Sequence, residues 1–128
     1  MKSVFLFLSL LISVSAAPLT HSVYFKLKHE KSSAEAVEFY KEAMQLATIP
    51  GVENFAWLEE FSPKNDFAYG LTMQFKDQKA YDYYNDHPLH VRFVNEVWIP
   101  NVVDFMEIDT VPGTLLPEKG STKAESSK

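Results

Sequence analysis

The sequence contains no cysteine. That excludes a disulfide framework, a thiol nucleophile and a lipid-modified cysteine. Arginine is almost as scarce: Arg92 stands alone, the lysines are scattered, and the 128-residue chain carries a net charge of −5. Without a basic stripe, neither nucleic acid nor an anionic membrane surface is an expected partner. No asparagine is followed two positions on by serine or threonine, so there is no N-glycosylation acceptor. No Gly-rich phosphate loop, nucleophile elbow or HExxH pair is present. Long apolar runs are missing too. Val4 to Val14, interrupted by Ser9 and Ser13, falls short of the roughly 20 residues that a membrane span needs.

That short run has a different reading. Lys2 precedes it, and the small residues Ser15, Ala16 and Ala17 follow it. This is the pattern of a secretory signal, expected over residues 1–17 and cut after Ala16 or Ala17. The expected destination is therefore outside the cytoplasm, periplasmic or extracellular, with no membrane attachment after cleavage. At the other end, PGTLLPEKGSTKAESSK, residues 112–128, has too little apolar surface to offset its chain entropy and is expected to be a disordered tail. The folded unit is expected over residues 20–111. Roughly 90 residues make a small core, so oligomerisation is an expected contributor to stability.

Between those ends the hydrophobic period switches in a legible order. HSVYFKLK, residues 21–28, alternates as a half-buried strand, with His21, Val23, Phe25 and Leu27 on one face. Ser32 or Ser33 caps a helix in which Val37, Tyr40, Met44 and Ala47 form a stripe, widened by Phe39, Ala43 and Leu46; Pro50-Gly51 stops it. VENFAWLEE, residues 52–60, reads as a second strand. FAYGLTMQF, residues 67–75, reads as a third, with Phe67, Tyr69, Leu71, Met73 and Phe75 on one face and Gly70 marking a bulge or a close neighbour. Asp77 opens a short helix through Tyr84, His87-Pro88 opens another that carries Val94, Val97 and Trp98, and Pro100 stops it. VVDFMEID, residues 102–109, is the last strand. This order predicts an α+β, ferredoxin-like fold: a four-stranded antiparallel sheet with helices on one face. The other face also carries apolar residues, which predicts a homodimer in which two sheets pack into a shared α/β barrel.

The segments HSVYFKL, IPGV, FAYGLTMQF, YYNDHPLHVRFVNEVW and VVDFMEID, in this order over residues 21–109, resemble the stress-responsive dimeric α/β-barrel family, often called Dabb. The YxxHPxH segment is the most specific of them. The resemblance implies a ferredoxin-like protomer and a homodimeric barrel. One enzyme of the family, the plant olivetolic acid cyclase, performs an aldol-type cyclisation with the histidine that ends HPxH and the tyrosine six residues before it. The matching positions here are His90 and Tyr84. His21 matches a histidine that lines that enzyme's pocket, whereas its further tyrosine on the first helix has no counterpart in YKEAMQL.

The residues can also be weighed on their own. His90 lies one turn into its helix, and Val94 and Val97 follow at helical spacing, so it faces the sheet. An imidazole there suits a general base; the plainer role is a core-edge histidine bonded to a backbone carbonyl or to Tyr84. The Tyr84 phenol is either a donor to a ligand oxygen or a packing residue. His21 is a pocket hydrogen-bonding group or merely the strand's first residue at a rim. His87 is best explained by closing the helix start. Its spacing of three from His90 can place two imidazoles on one side. However, zinc takes three or four protein ligands, and only Asp86 adjoins, with no cysteine or carboxylate pair nearby. No metal and no cofactor is expected. An exported homodimer that binds a small apolar or aromatic ligand through His21, Tyr84 and His90 is the leading reading. The alternative is an acid–base enzyme, an aldol-type cyclase or isomerase, in which His90 takes a proton beside a carbonyl and Tyr84 orients it or stabilises the oxyanion. A dimer whose pocket is filled by its own side chains is a third. The HPxH segment argues against a haem-degrading or monooxygenase-like reading of the same architecture.

Overall fold

The computed structural model describes residues 18–113. The expected signal segment lies outside that range, as does the expected tail beyond its first two residues. Strand β1 (Leu19–Leu27) leads to helix α1 (Ala34–Met44), which tightens into a 3₁₀ turn over Gln45–Thr48. Strands β2 (Glu53–Glu59) and β3 (Tyr69–Phe75) form a hairpin. Helices α2 (Gln78–Asp86) and α3 (Pro88–Arg92) follow, then a π-helical turn (Phe93–Trp98), the short α4 (Ile99–Asn101) and strand β4 (Val102–Thr110). The strands lie in the order β2-β3-β1-β4, every neighbouring pair antiparallel. This is the expected ferredoxin-like sheet with helices on one face.

The alternation of β1 does what its period requires. Leu19, His21, Val23, Phe25 and Leu27 are buried under the helices, and the intervening residues turn to the other face. Phe25 is the centre of the core. Its ring lies 5.5 Å from Phe39, 5.7 Å from Trp57 and 5.0 Å from Trp98, so one strand residue ties α1, β2 and the π-turn together.

Three details differ from the sequence reading, each for a local reason. Ser33, not Ser32, caps α1, its hydroxyl accepting from the Ala36 N–H at 3.2 Å, while Ser32 takes a left-handed φ of 64° in the preceding turn. The buried row of α1 is Ala36, Phe39 and Ala43, continued by Leu46 in the 3₁₀ turn; Val37 and Tyr40 lie outside it and are exposed, with Tyr40 edge-on to Trp57. The third strand begins at Tyr69 rather than Phe67. The Phe67 N–H donates to the Asn65 side chain at 2.9 Å in a local turn, and the Glu60 N–H to Ala68 O bond closes the hairpin behind it.

The segment after β3 is built to hold side chains against the sheet. Asp77 caps α2 through the Ala80 N–H at 2.8 Å. His87 is extended, and its Nδ1 accepts from the Leu89 N–H at 3.1 Å, so it closes the start of α3 while Pro88 occupies the first turn. The wide π-turn then buries Phe93 and Val97 and sets Trp98 on Phe25. Asn101 fastens the far end, donating to Val97 O at 2.7 Å and bonding His29 at 2.7 Å.

The outward face of the sheet is partly apolar. Tyr24, Leu58 and Gly70 lie side by side there. A Cβ on Gly70 would stand 2.9 Å from Tyr24 Cδ1, so the glycine makes room for that ring. Met106 and Ile108 on β4 are 44% and 41% exposed on the same face. Among the described residues no helix is long and apolar enough to cross a membrane.

Candidate functional site

A cavity of about 350 Å³ opens between the inward face of the sheet and the α2–π-turn segment. Strand parity supplies its floor, from Val23, Leu71 and Met73; the π-turn and its neighbours supply a wall of Phe93, Val94 and Trp98. Into this apolar space project His21 from β1, Tyr84 from α2 and His90 from α3. The three residues singled out by sequence therefore line one cavity. The Tyr84 ring lies 4.4 Å from that of His90 and 6.3 Å from that of His21, so the tyrosine neighbours both imidazoles.

The two histidines are held differently. His90 Nδ1 is 3.0 Å from the backbone oxygen of Asn85. A carbonyl only accepts, so Nδ1 carries the proton and Nε2 is left as the acceptor of the neutral ring. Burial lowers the pKa of His90 below the ordinary histidine value, against the smaller opposing pull of the Asn85 carbonyl. The ring is thus neutral near pH 7, the plainer bonding expected for it and the protonation state of a base at once. Burial, followed by the neighbouring Tyr81 and Glu107, raises the Tyr84 phenol well above its usual range, so it keeps its proton and serves as a donor.

His21 is 8% exposed and carries a constellation that the sequence reading did not reach. Its Nδ1 lies 2.6 Å from Asp109 Oδ1, and the Tyr81 hydroxyl donates to Asp109 Oδ2 at 3.0 Å while standing 3.2 Å from the same Nδ1. The carboxylate fixes the Nδ1–H tautomer and the orientation of the ring, which leaves Nε2 as the free nitrogen. Burial, reinforced by the bond to Asp109, raises the Tyr81 phenol as well. Glu107 adds a second carboxylate on the cavity wall, 3.8 Å from His21 Nδ1. One signal in the sequence could have found these groups. Alternation in VVDFMEID puts Phe105, Glu107 and Asp109 on one face, two acids on the side where Val23, Phe25, Leu71 and Met73 stand on the neighbouring strands.

His21, Glu107 and Asp109 are also the group that could hold a metal ion, their ligand atoms lying within 4.8 Å of one another. Both oxygens of Asp109 are engaged, one by His21 and one by Tyr81, while Glu107 stands 3.8 Å from His21 Nδ1, beyond hydrogen-bond reach. The carboxylates gather around His21, not around His87 and His90, and His87 spends its Nδ1 on the helix start.

Comparison with known proteins agrees with this architecture. The family model for the stress responsive A/B barrel domain (Dabb) matches residues 19–112. A stress-response A/B barrel domain-containing protein of Arabidopsis thaliana is 28% identical in an alignment 109 residues long that covers 80% of this chain and 41% of that protein. The chain thus spans about two fifths of the length of that relative. Among solved structures, a Dabb family protein with a ferredoxin-like fold from Mesorhizobium loti is 45% identical, with a TM-score of 0.74 over 77% of this chain and all of that one. A dimeric ferredoxin-like protein of unknown function from Thermobifida fusca, 17% identical, has a TM-score of 0.64 over 75% of this chain and 92% of that one.

Proposed function

The chain belongs to the stress-responsive A/B barrel domain family, and on that premise we propose that it is an exported, homodimeric module that binds a small apolar or aromatic molecule. The observation that carries this reading is the cavity itself: an apolar space of about 350 Å³ in which the polar groups converge, His21, Tyr84 and His90 among them. That is the usual composition of a small-molecule site. The ligand's apolar body lies along Leu71, Met73 and Trp98, and its oxygen meets the Tyr84 donor or an imidazole Nε2. Dimerisation is supported by the unpartnered apolar residues of the outward face and by the dimeric description of the Thermobifida fusca neighbour. Export is supported by the N-terminal run from Val4 to Val14 and the small residues after it.

Trp98 on the cavity wall is the reporter for the test. Aromatic and alkyl-aromatic compounds are titrated into the purified dimer while tryptophan fluorescence and thermal midpoint are followed. Saturable quenching together with a raised midpoint is expected. A clean dimer that binds none of them refutes the reading.

A second reading is favoured by the state of His90. A neutral imidazole with its Nε2 free, beside a phenol that stays protonated, is a base next to a donor. On this reading the protein is an acid–base enzyme of the aldol-cyclase or isomerase type. His90 takes a proton from the carbon beside a carbonyl, and Tyr84 donates to the developing enolate oxygen. Turnover that survives in His90→Ala refutes it.

A further inference from the structure

We propose that Glu107 makes this cavity selective against carboxylates, so that its ligand is an uncharged apolar molecule whose polar end is a hydrogen-bond donor such as a hydroxyl. The inference rests on the cavity being a ligand site, and it goes on to name the class of ligand.

Glu107 is paired with Val23 in the β1–β4 ladder, on the parity that the rest of the sheet fills with Leu71, Met73 and Phe105. It is a charged side chain on an apolar wall, with its side chain 48% exposed. No lysine or arginine lines the cavity among the described residues. Arg92, the chain's one guanidinium, is engaged by Glu42 at 3.1 Å and Glu96 at 3.0 Å on the outer side of the helices. The remaining titratable groups facing the space are His21, His90 and Tyr84, with Asp109 behind His21.

These groups do not add up to an anion site. His21 already has Asp109 at 2.6 Å and Glu107 at 3.8 Å, two carboxylates against one imidazole. Even a protonated His21 leaves that end of the cavity negative by one charge. His90 is neutral near pH 7 and offers a lone pair. A carboxylate entering here is repelled and finds no free cation. A hydroxyl finds what it needs, since Glu107 and the two Nε2 atoms accept and the Tyr84 phenol donates.

The bland alternative is that Glu107 only protects an edge. β4 lies at the edge of the sheet, and inward-pointing charge discourages pairing with another sheet. The two roles separate on one ratio. The affinities of 4-butylbenzyl alcohol and 4-butylbenzoate, which share ring and chain, are measured by calorimetry for the wild-type dimer and for Glu107→Gln. The alcohol is expected to bind at least about tenfold more tightly to wild type, the scale of a charge repulsion across a half-exposed site. Desolvation of the benzoate contributes to that ratio in both proteins, so the decisive figure is its change. In Glu107→Gln the ratio should fall at least threefold, mainly by tighter benzoate binding. A ratio unmoved by the substitution overturns the proposal. Salt gives a check on wild type alone: raising it towards 1 M should strengthen benzoate binding relative to the alcohol, and a ratio indifferent to salt counts against the repulsion. Binding of neither compound to either protein is a different outcome. It refutes the cavity as an aromatic-ligand site, and this inference falls with it.

Discussion

The Asp109 carboxylate should set both the stability of the domain and the tautomer of His21, and removing it tests the two together. Asp109→Ala deletes two bonds at once, the 2.6 Å bond to His21 Nδ1 and the 3.0 Å bond from the Tyr81 hydroxyl. Hydrogen bonds to an ionised partner contribute about 1.5–3 kcal/mol each. The Asp109 side chain is 38% exposed, so water replaces part of what is lost and the lower end applies. Two bonds at that lower end sum to about 3 kcal/mol, and their partial replacement by water brings the expected loss to about 2 kcal/mol. Asp109→Asn should cost less, about 1 kcal/mol. Its amide oxygen can accept from His21 while its NH₂ donates to the Tyr81 oxygen, so the geometry survives and only the charge is lost. A domain of this size has a urea m-value of about 1 kcal/mol/M, so the midpoints should fall by about 2 M and about 1 M respectively. Imidazole ¹⁵N spectra give the second readout. The neutral His21 ring should be Nδ1–H in wild type and in Asp109→Asn, and should lose that preference in Asp109→Ala. A midpoint shift below about 0.5 M for the alanine variant, with the tautomer unchanged, would refute the claim that Asp109 organises this end of the cavity.

Other expectations follow from single features. Because the folded pKa of His90 lies below its unfolded value of about 6.5, the unfolded chain takes up the proton first as pH falls; stability should therefore decline from about pH 6.5 downward, and less steeply in His90→Phe, as urea midpoints between about pH 7.5 and pH 5 will show. Phe25→Ala removes the ring on which α1, β2 and the π-turn converge; a cost of about 3–5 kcal/mol is expected, and a thermal midpoint within a few degrees of wild type would contradict that central place. Met106→Asp on the outward face should leave the far-ultraviolet dichroism intact and convert the proposed dimer to monomer in light scattering; a dimer that persists would move the interface elsewhere.

What the sequence disclosed and what it concealed divide along the range of the interactions. The period of two in HSVYFKLK and FAYGLTMQF is enforced by burial on one face, so the inward residues of β1 and β3 could be read directly, His21 among them. The helix start at His87-Pro88 was equally local: a proline that needs no N–H and a side chain that caps its neighbour. The stripe of α1 was less legible. Tyr40 and Val37 sit beside the buried row at spacings that fit a slightly rotated helix, and only docking on the sheet chose Phe39 and Leu46.

The His21–Asp109 bond joins residues 88 positions apart, and no periodicity within one segment can see that far. It nevertheless follows once topology is added to parity. In a ferredoxin-like sheet β1 and β4 are antiparallel neighbours, so the first inward residues of one face the last inward residues of the other. His21 near the start of β1 must therefore meet Asp109 near the end of β4, and Val23 must meet Glu107, as the register has it. The polar end of the cavity thus lies where the chain enters and leaves the sheet, where Tyr81 and His90 also reach it from the helices. The strands bring a floor of apolar side chains, and their ends bring the charge.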